Sequence, residues 1–188
     1  MNVKHLSALI VTGTIALGAA PAIADSSDTP QFNFSCKMSE GIPTTFAQPV
    51  GKDISKPVFH WKQDALQYKS SSTPQELCDN VTAKLEDYSA QGYDLSEISF
   101  VGTKAVDNMP AICATSGQSK NCSKLLFTLS PTATPSAEVV AAEVVTAILN
   151  PQLQGEKTVY RDRGVQSTSY QVNFWQLLGL GPNKFFSK

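Results

Sequence analysis

Apolar and polar residues alternate over residues 32–38, where Phe32, Phe34 and Cys36 share one face of a strand and Asn33, Ser35 and Lys37 the other. Turn chemistry at Glu40-Gly41 sends the chain back through a partner strand at 44–50, and residues 57–61 supply a third after a Gly- and Asp-containing loop. The period changes after the loop at 70–73. Cys78, Val81, Leu85 and Tyr88 recur at three- and four-residue spacing, the buried stripe of a helix. Thr73 as N-cap, Pro74 at the first helical position and Glu76 at the third form a capping box, and Gly92 is the stop signal for a helix running to Ala90. Three strands of a meander follow at 98–103, 111–114 and 124–129, with turns at Asp107-Asn108 and across 117–121. A second helix, capped by Thr134 and opened by Pro135, is predicted over 137–149, with Pro151 just beyond. Val139, Val140, Val144, Val145 and Ile148 make it apolar around much of its circumference, as expected if it lies across a sheet. Residues 158–161 and 169–174 are further strand candidates. This order predicts an α+β fold, an antiparallel sheet with two helices on one face.

The ends divide the chain. Lys4 and His5 precede an apolar run from Leu6 to Ala20, and Ala22 and Ala24 give the small-x-small pattern before a cleavage point, so residues 1–24 read as a secretory signal peptide cut after Ala24. The run is about 15 residues, short of the ~20 that a membrane-spanning helix needs. Residues 25–31 are a polar, flexible lead-in, 32–150 one folded domain and 151–188 a C-terminal extension. A net charge of −1, with basic residues scattered apart from Lys120 near Lys124 and Arg161 near Arg163, gives no electrostatic footprint for nucleic acid.

The four cysteines, Cys36, Cys78, Cys113 and Cys122, match neither a C-x-x-C redox pair nor a zinc pattern, and in an exported chain an even count points to disulfides. Three pairings are possible. Cys36 on an inward strand face can reach Cys78 on the buried helix stripe, and a hairpin would bring Cys113 to Cys122, so the expected staples are Cys36 with Cys78 and Cys113 with Cys122.

Catalytic patterns are missing from the sequence: there is no G-x-S-x-G, S-x-x-K, H-E-x-x-H, P-loop or G-x-G-x-x-G. After the leader a single histidine, His60, remains, and beside Trp61 in a strand it reads as structural. Glu76, Asp79, Glu86 and Asp87 read as the solvated face of the first helix. No catalytic residue, cofactor or metal ligand is therefore expected. The tail offers a candidate contact surface instead: Phe174, Trp175, Leu177, Leu178, Phe185 and Phe186, with Lys184 and Lys188 nearby, could meet a membrane interface or a partner, or else close the domain's own core or sheet edge.

Five fragments in order resemble a known family: Phe34-Ser-Cys36, Pro57-Val-Phe-His-Trp61, Thr73-Pro-Gln-Glu-Leu-Cys78, Pro110-Ala-Ile-Cys113 and Cys122-Ser-Lys-Leu-Leu-Phe-Thr-Leu129. The stretch 34–129 is similar to the cyanobacterial circadian oscillating protein domain of the twenty-three-kilodalton type. That resemblance implies a cyanobacterial, exported protein from a family with no established biochemical activity, and so carries over no catalytic residues. The expected function is that of a non-enzymatic exported protein binding a protein partner or a membrane surface in the periplasm, thylakoid lumen or extracellular space. The alternative is an extracytoplasmic hydrolase with an unrecognised carboxylate or hydroxyl nucleophile.

Overall fold

The computed structural model describes residues 31–66, 70–93, 95, 98–116, 122–131, 136–154, 157–162 and 165–172, the last two segments through their backbones and Tyr170. The signal peptide at 1–24 and nearly all of the lead-in lie outside the described residues, as does the aromatic tail from Phe174 onwards.

Strands β1 (Phe32–Ser39), β2 (Ile42–Pro49) and β3 (Lys56–His60) form an antiparallel sheet in that order. Glu40 and Gly41, at φ 52° and 78°, make the two-residue hairpin turn whose twist matches that of its strands. After a one-turn helix α1 (Gln63–Leu66) comes α2 (Pro74–Ala90). Its capping box is complete: the Glu76 amide donates to Thr73 Oγ1 at 3.2 Å, and the Thr73 amide donates to Glu76 Oε2 at 2.8 Å. Strands β4 (Ile98–Lys104), β5 (Pro110–Ser116) and β6 (Lys124–Thr128) make the expected meander. Helix α3 (Ala137–Ile148) follows, then β7 (Lys157–Asp162) and β8 (Val165–Val172), and the second sheet has the order β6-β5-β4-β8-β7. Both late strand candidates are thus strands, and β8 pairs antiparallel with β4 from Ile98↔Val172 to Gly102↔Thr168.

The fold is α+β, with the antiparallel strands divided between a three-stranded and a five-stranded sheet where the sequence suggested one. The smaller sheet stops at β3 for a local reason. β3 carries Pro57, a residue suited to an edge strand, and its outer edge is taken by the chain after α3. There the Asn150 amide donates to Val58 O at 2.9 Å, Asn150 Nδ2 donates to Pro57 O at 2.8 Å, and Phe59 bridges to Leu149. The cap of α3 is also corrected. The helix starts from Ser136, extended at φ −60° and ψ 154°, and not from Thr134, because the helical turn begins only at Ala137.

One core joins the two sheets. Phe59 and Trp61 on β3 and just after it meet Phe100 and Phe127, with ring centroids 4.7 Å apart for Phe59–Phe100 and 5.5 Å for Trp61–Phe127. Helix α2 covers β1 and β2 and reaches β6, burying the predicted stripe Cys78, Val81, Leu85 and Tyr88. Helix α3 lies across β4, β5 and β8, with Val140, Ala141, Val144, Val145 and Ile148 buried. Its Thr146 hydroxyl pairs with the Tyr170 hydroxyl of β8.

A small polar knot sits inside this apolar volume. Trp61 Nε1 donates to Thr45 Oγ1 at 2.9 Å, the Thr45 and Thr82 hydroxyls are 3.2 Å apart, and Cys78 Sγ lies 3.8 Å from Thr45 Oγ1. Thr45→Val keeps the shape and removes the shared hydroxyl, which strands the indole N–H in the core. It should destabilise the domain by about 1–3 kcal/mol. A lowered urea midpoint at unchanged m-value is the readout, and an unchanged midpoint would contradict this role.

Candidate functional site

Both disulfides form as expected: Cys36–Cys78 ties β1 to α2 with Cα atoms 5.7 Å apart, and Cys113–Cys122 closes the β5–β6 connection at 5.3 Å. These separations fall in the ordinary range for the bond.

The first disulfide stands beside an open cleft of about 450 Å³. Three segments distant in the chain build it. The β1–β2 hairpin contributes Met38, Gly41, Ile42 and Pro43; the residues after β3 contribute Trp61, Lys62 and Gln63; and the start of α2 contributes Thr73, Pro74 and Gln75. Trp61 is fully buried, while Met38 is 62% exposed at the cleft and presents a flexible thioether to solvent. Gln75 Nε2 lies 3.1 Å from both carboxylate oxygens of Asp79 and 3.4 Å from Cys36 Sγ, which fixes one wall to the disulfide. Among the described residues the lining combines apolar surface with neutral amides and one cation, Lys62. Sequence reading missed this cleft. Its signals were Gly41-Ile42-Pro43 and Thr73-Pro74, read only as turn and cap.

His60 Nδ1 stands 3.5 Å from Thr44 Oγ1. Burial holds its imidazole below its ordinary range, the Lys62 ammonium adds to that shift, and the Glu40 carboxylate opposes it. The fold therefore favours neutral His60. Because the unfolded chain binds the proton more readily, this contribution is present above the ordinary value of about 6.5 and lost as pH falls through the window below it.

The α2 carboxylates are spread over separate structural tasks. Glu76 completes the cap, Asp79 holds Gln75, and Asp87 pairs with Lys124 at 2.5 Å while accepting from Gln91. Glu86 departs from the expected solvated face: it is half-buried and accepts the Phe34 amide of edge strand β1. Ser89 does the same one step along, accepting the Phe32 amide at 3.2 Å and donating to Phe32 O at 2.9 Å. Two carboxylates sit below their usual range, Glu76 through its hydrogen bonds from Thr73 and Asp87 through those from Lys124 and Gln91. Depressed carboxylates stabilise above the unfolded pKa and lose that contribution as pH falls through the folded one. Thermal midpoints should therefore drop below about pH 4, and Thr73→Ala should shrink the Glu76 share of that drop. An acid profile unchanged by T73A would contradict this.

The tail candidates Phe174, Trp175, Leu177, Leu178, Phe185 and Phe186 lie outside the described residues, whereas the cleft is a candidate site built from described ones. Among the described residues there is no cluster of three metal-ligating side chains, and no helix is long and apolar enough to cross a membrane. A family model described as circadian oscillating protein COP23 matches residues 33–178, extending past α3 through β7 and β8 as far as Leu178. No curated protein and no solved structure matches the chain.

Proposed function

For this chain, which belongs to the circadian oscillating protein COP23 family, we propose the role of an exported, non-enzymatic protein that binds a protein partner outside the cytoplasm through the cleft beside Cys36–Cys78. The observation that carries the reading is the lining of that cleft: among the described residues its apolar side chains, neutral amides and one ammonium group suit a peptide surface and bring no pair of titratable groups together for proton transfer. The leader pattern at 1–24 and two disulfides support an oxidising compartment, such as the periplasm or thylakoid lumen. Against the hydrolase alternative stands the spread of the α2 carboxylates over caps, an edge strand and a lysine.

The test has two arms. Mass spectrometry of the native protein should give a chain starting at Asp25 and lacking the four thiol hydrogens; an uncleaved or reduced chain would remove export from the reading. In living cells, a photo-crosslinking residue placed at Met38 or Gln63 should give one discrete adduct, and the same residue at Lys52, away from the cleft, should not. Equal adducts from all three positions, or none, would overturn the cleft's role.

A further inference from the structure

The Cys36–Cys78 bond joins two walls of the cleft. Cys36 precedes Met38 of the hairpin wall by two residues on β1, and Cys78 follows Gln75 of the helical wall by three on α2. The two sulfurs are unequally placed. Cys78 is fully buried, whereas Cys36 is only partly buried at the edge of the core. Its Sγ accepts from Gln75 Nε2 at 3.4 Å, an amide that itself lines the cleft. A thiolate arriving from solvent therefore reaches Cys36, and Cys78 becomes the leaving group. The departing sulfur lies 3.8 Å from the Thr45 hydroxyl, which can turn its hydrogen toward it while its oxygen accepts the Trp61 indole N–H. Exchange depends on which sulfur is reachable and on how well the leaving thiolate is held, and both favour attack at Cys36.

The same bond fixes the helical wall. Among the described residues, the other side-chain hydrogen bonds from α2 to the first sheet lie further along the helix: Thr82 to Thr45 about one turn beyond Cys78, and Glu86 and Ser89 to the Phe34 and Phe32 amides about two and three turns beyond. Thr73, Pro74 and Gln75 stand on the opposite side of the bond, and Gln75 makes its contact with the disulfide sulfur itself. Cutting the bond frees this end of α2. Cys113–Cys122 lies on the other sheet, so opening it leaves the cleft walls joined.

We infer that Cys36–Cys78 is a redox switch on the cleft: a protein dithiol of the C-x-x-C kind opens it through Cys36, and the freed α2 wall releases the cleft's partner. The inference rests on the cleft's role as a partner site. One thiolate of the dithiol attacks Cys36 Sγ, forming a mixed disulfide and expelling the Cys78 thiolate, which takes up a proton. The second thiol, deprotonated, then attacks its neighbour's sulfur and expels the Cys36 thiolate, which is protonated in turn. Two electrons pass from the dithiol, which ends as a disulfide, to the cystine, which ends as two thiols.

The full exported chain carrying Cys113→Ala and Cys122→Ala leaves the long disulfide alone to react. A C-x-x-C protein whose second cysteine is serine should trap a mixed disulfide that peptide mass spectrometry maps to Cys36; an adduct at Cys78, or none, overturns the route. With the bond opened by dithiothreitol well below the melting midpoint, amide hydrogen exchange over 74–78 should quicken at least about tenfold, while 98–102 in β4 stays within about twofold. Unchanged protection of 74–78 overturns the switch whatever binds the cleft, and so does equal quickening of both segments, which marks global unfolding. In living cells, the same chain with the photo-crosslinking residue at Gln63 should lose its adduct several-fold after dithiothreitol, with alkylation confirming that the bond is open. An adduct that persists leaves the cleft's role standing and removes the switch. No adduct under either condition fails the cleft's role itself, and the release of a partner with it.

Discussion

Alanine in place of Gly102 is expected to destabilise the domain by about 3 kcal/mol or more, among the largest effects of any single methyl group added to this fold. A Cβ built there would stand 2.7 Å from Ala142 N, 2.8 Å from Ala141 C and 3.0 Å from Ala142 Cα. All three are backbone atoms of α3, so no rotamer change relieves the contact and the helix itself has to lift from β4. That helix is held at two further places, by Thr146 to Tyr170 of β8 and through Asn150 to β3, so the displacement strains both sheets. Gly102 is required for space. The contrast is with Gly41, Gly51 and Gly92, at φ near 77–78° with nothing within 4 Å of the added atom, where the requirement lies in the backbone conformation. Chemical denaturation of G102A measures the loss. Adding Ala142→Gly should not restore stability, since the clash is with backbone; recovery in that double variant, or a loss of under about 1 kcal/mol in G102A, would refute the packing argument.

The second large effect is that of the long disulfide. Replacing Cys36 and Cys78 together by alanine should cost roughly 4 kcal/mol on the chain-entropy model for a separation of 42 residues, against about 2.7 kcal/mol for the separation of 9 at Cys113–Cys122. Single domains keep only about 5–15 kcal/mol in all, so the first variant should sit near the edge of folding at 37 °C and the second well within it. Paired thermal melts of the two double variants check the order. Equal losses, or a greater loss at Cys113–Cys122, would mean that strain or residual structure in the unfolded chain outweighs loop closure.

Local signals in the sequence were legible because each is decided within a few residues. The capping box at Thr73 and Glu76, the stripe through Cys78 and Tyr88, and the alternation at Phe32 to Cys36 each fix an element without reference to the rest of the chain. The two cysteine pairings followed from those elements and matched the structure. Features made by distant segments were not legible. The division into two sheets depends on Asn150 occupying the edge of β3 some ninety residues after Pro57, and the Glu86 contact with the Phe34 amide depends on how α2 crosses β1. The cleft needs three segments to meet, and none of them is unusual alone. Gly102 was within reach: a glycine inside a strand pattern signals a close backbone approach, and α3 was already expected to cross the sheet.

The way α2 fastens β1 has a further consequence for the protein outside its native state. The amides of Phe32 and Phe34 face away from β2 and would be free donors on an open sheet edge, but Ser89 and Glu86 occupy both, and the Cys36–Cys78 bond holds the helix in place. Loss of that bond is expected to loosen the helix and bare an edge whose sequence, Phe-Asn-Phe-Ser-Cys, is β-prone, uncharged and apolar on one face. Reduced protein should therefore be lost to intermolecular strand pairing more readily than to simple unfolding, so that reducing agents in storage buffers shorten its useful life at high concentration.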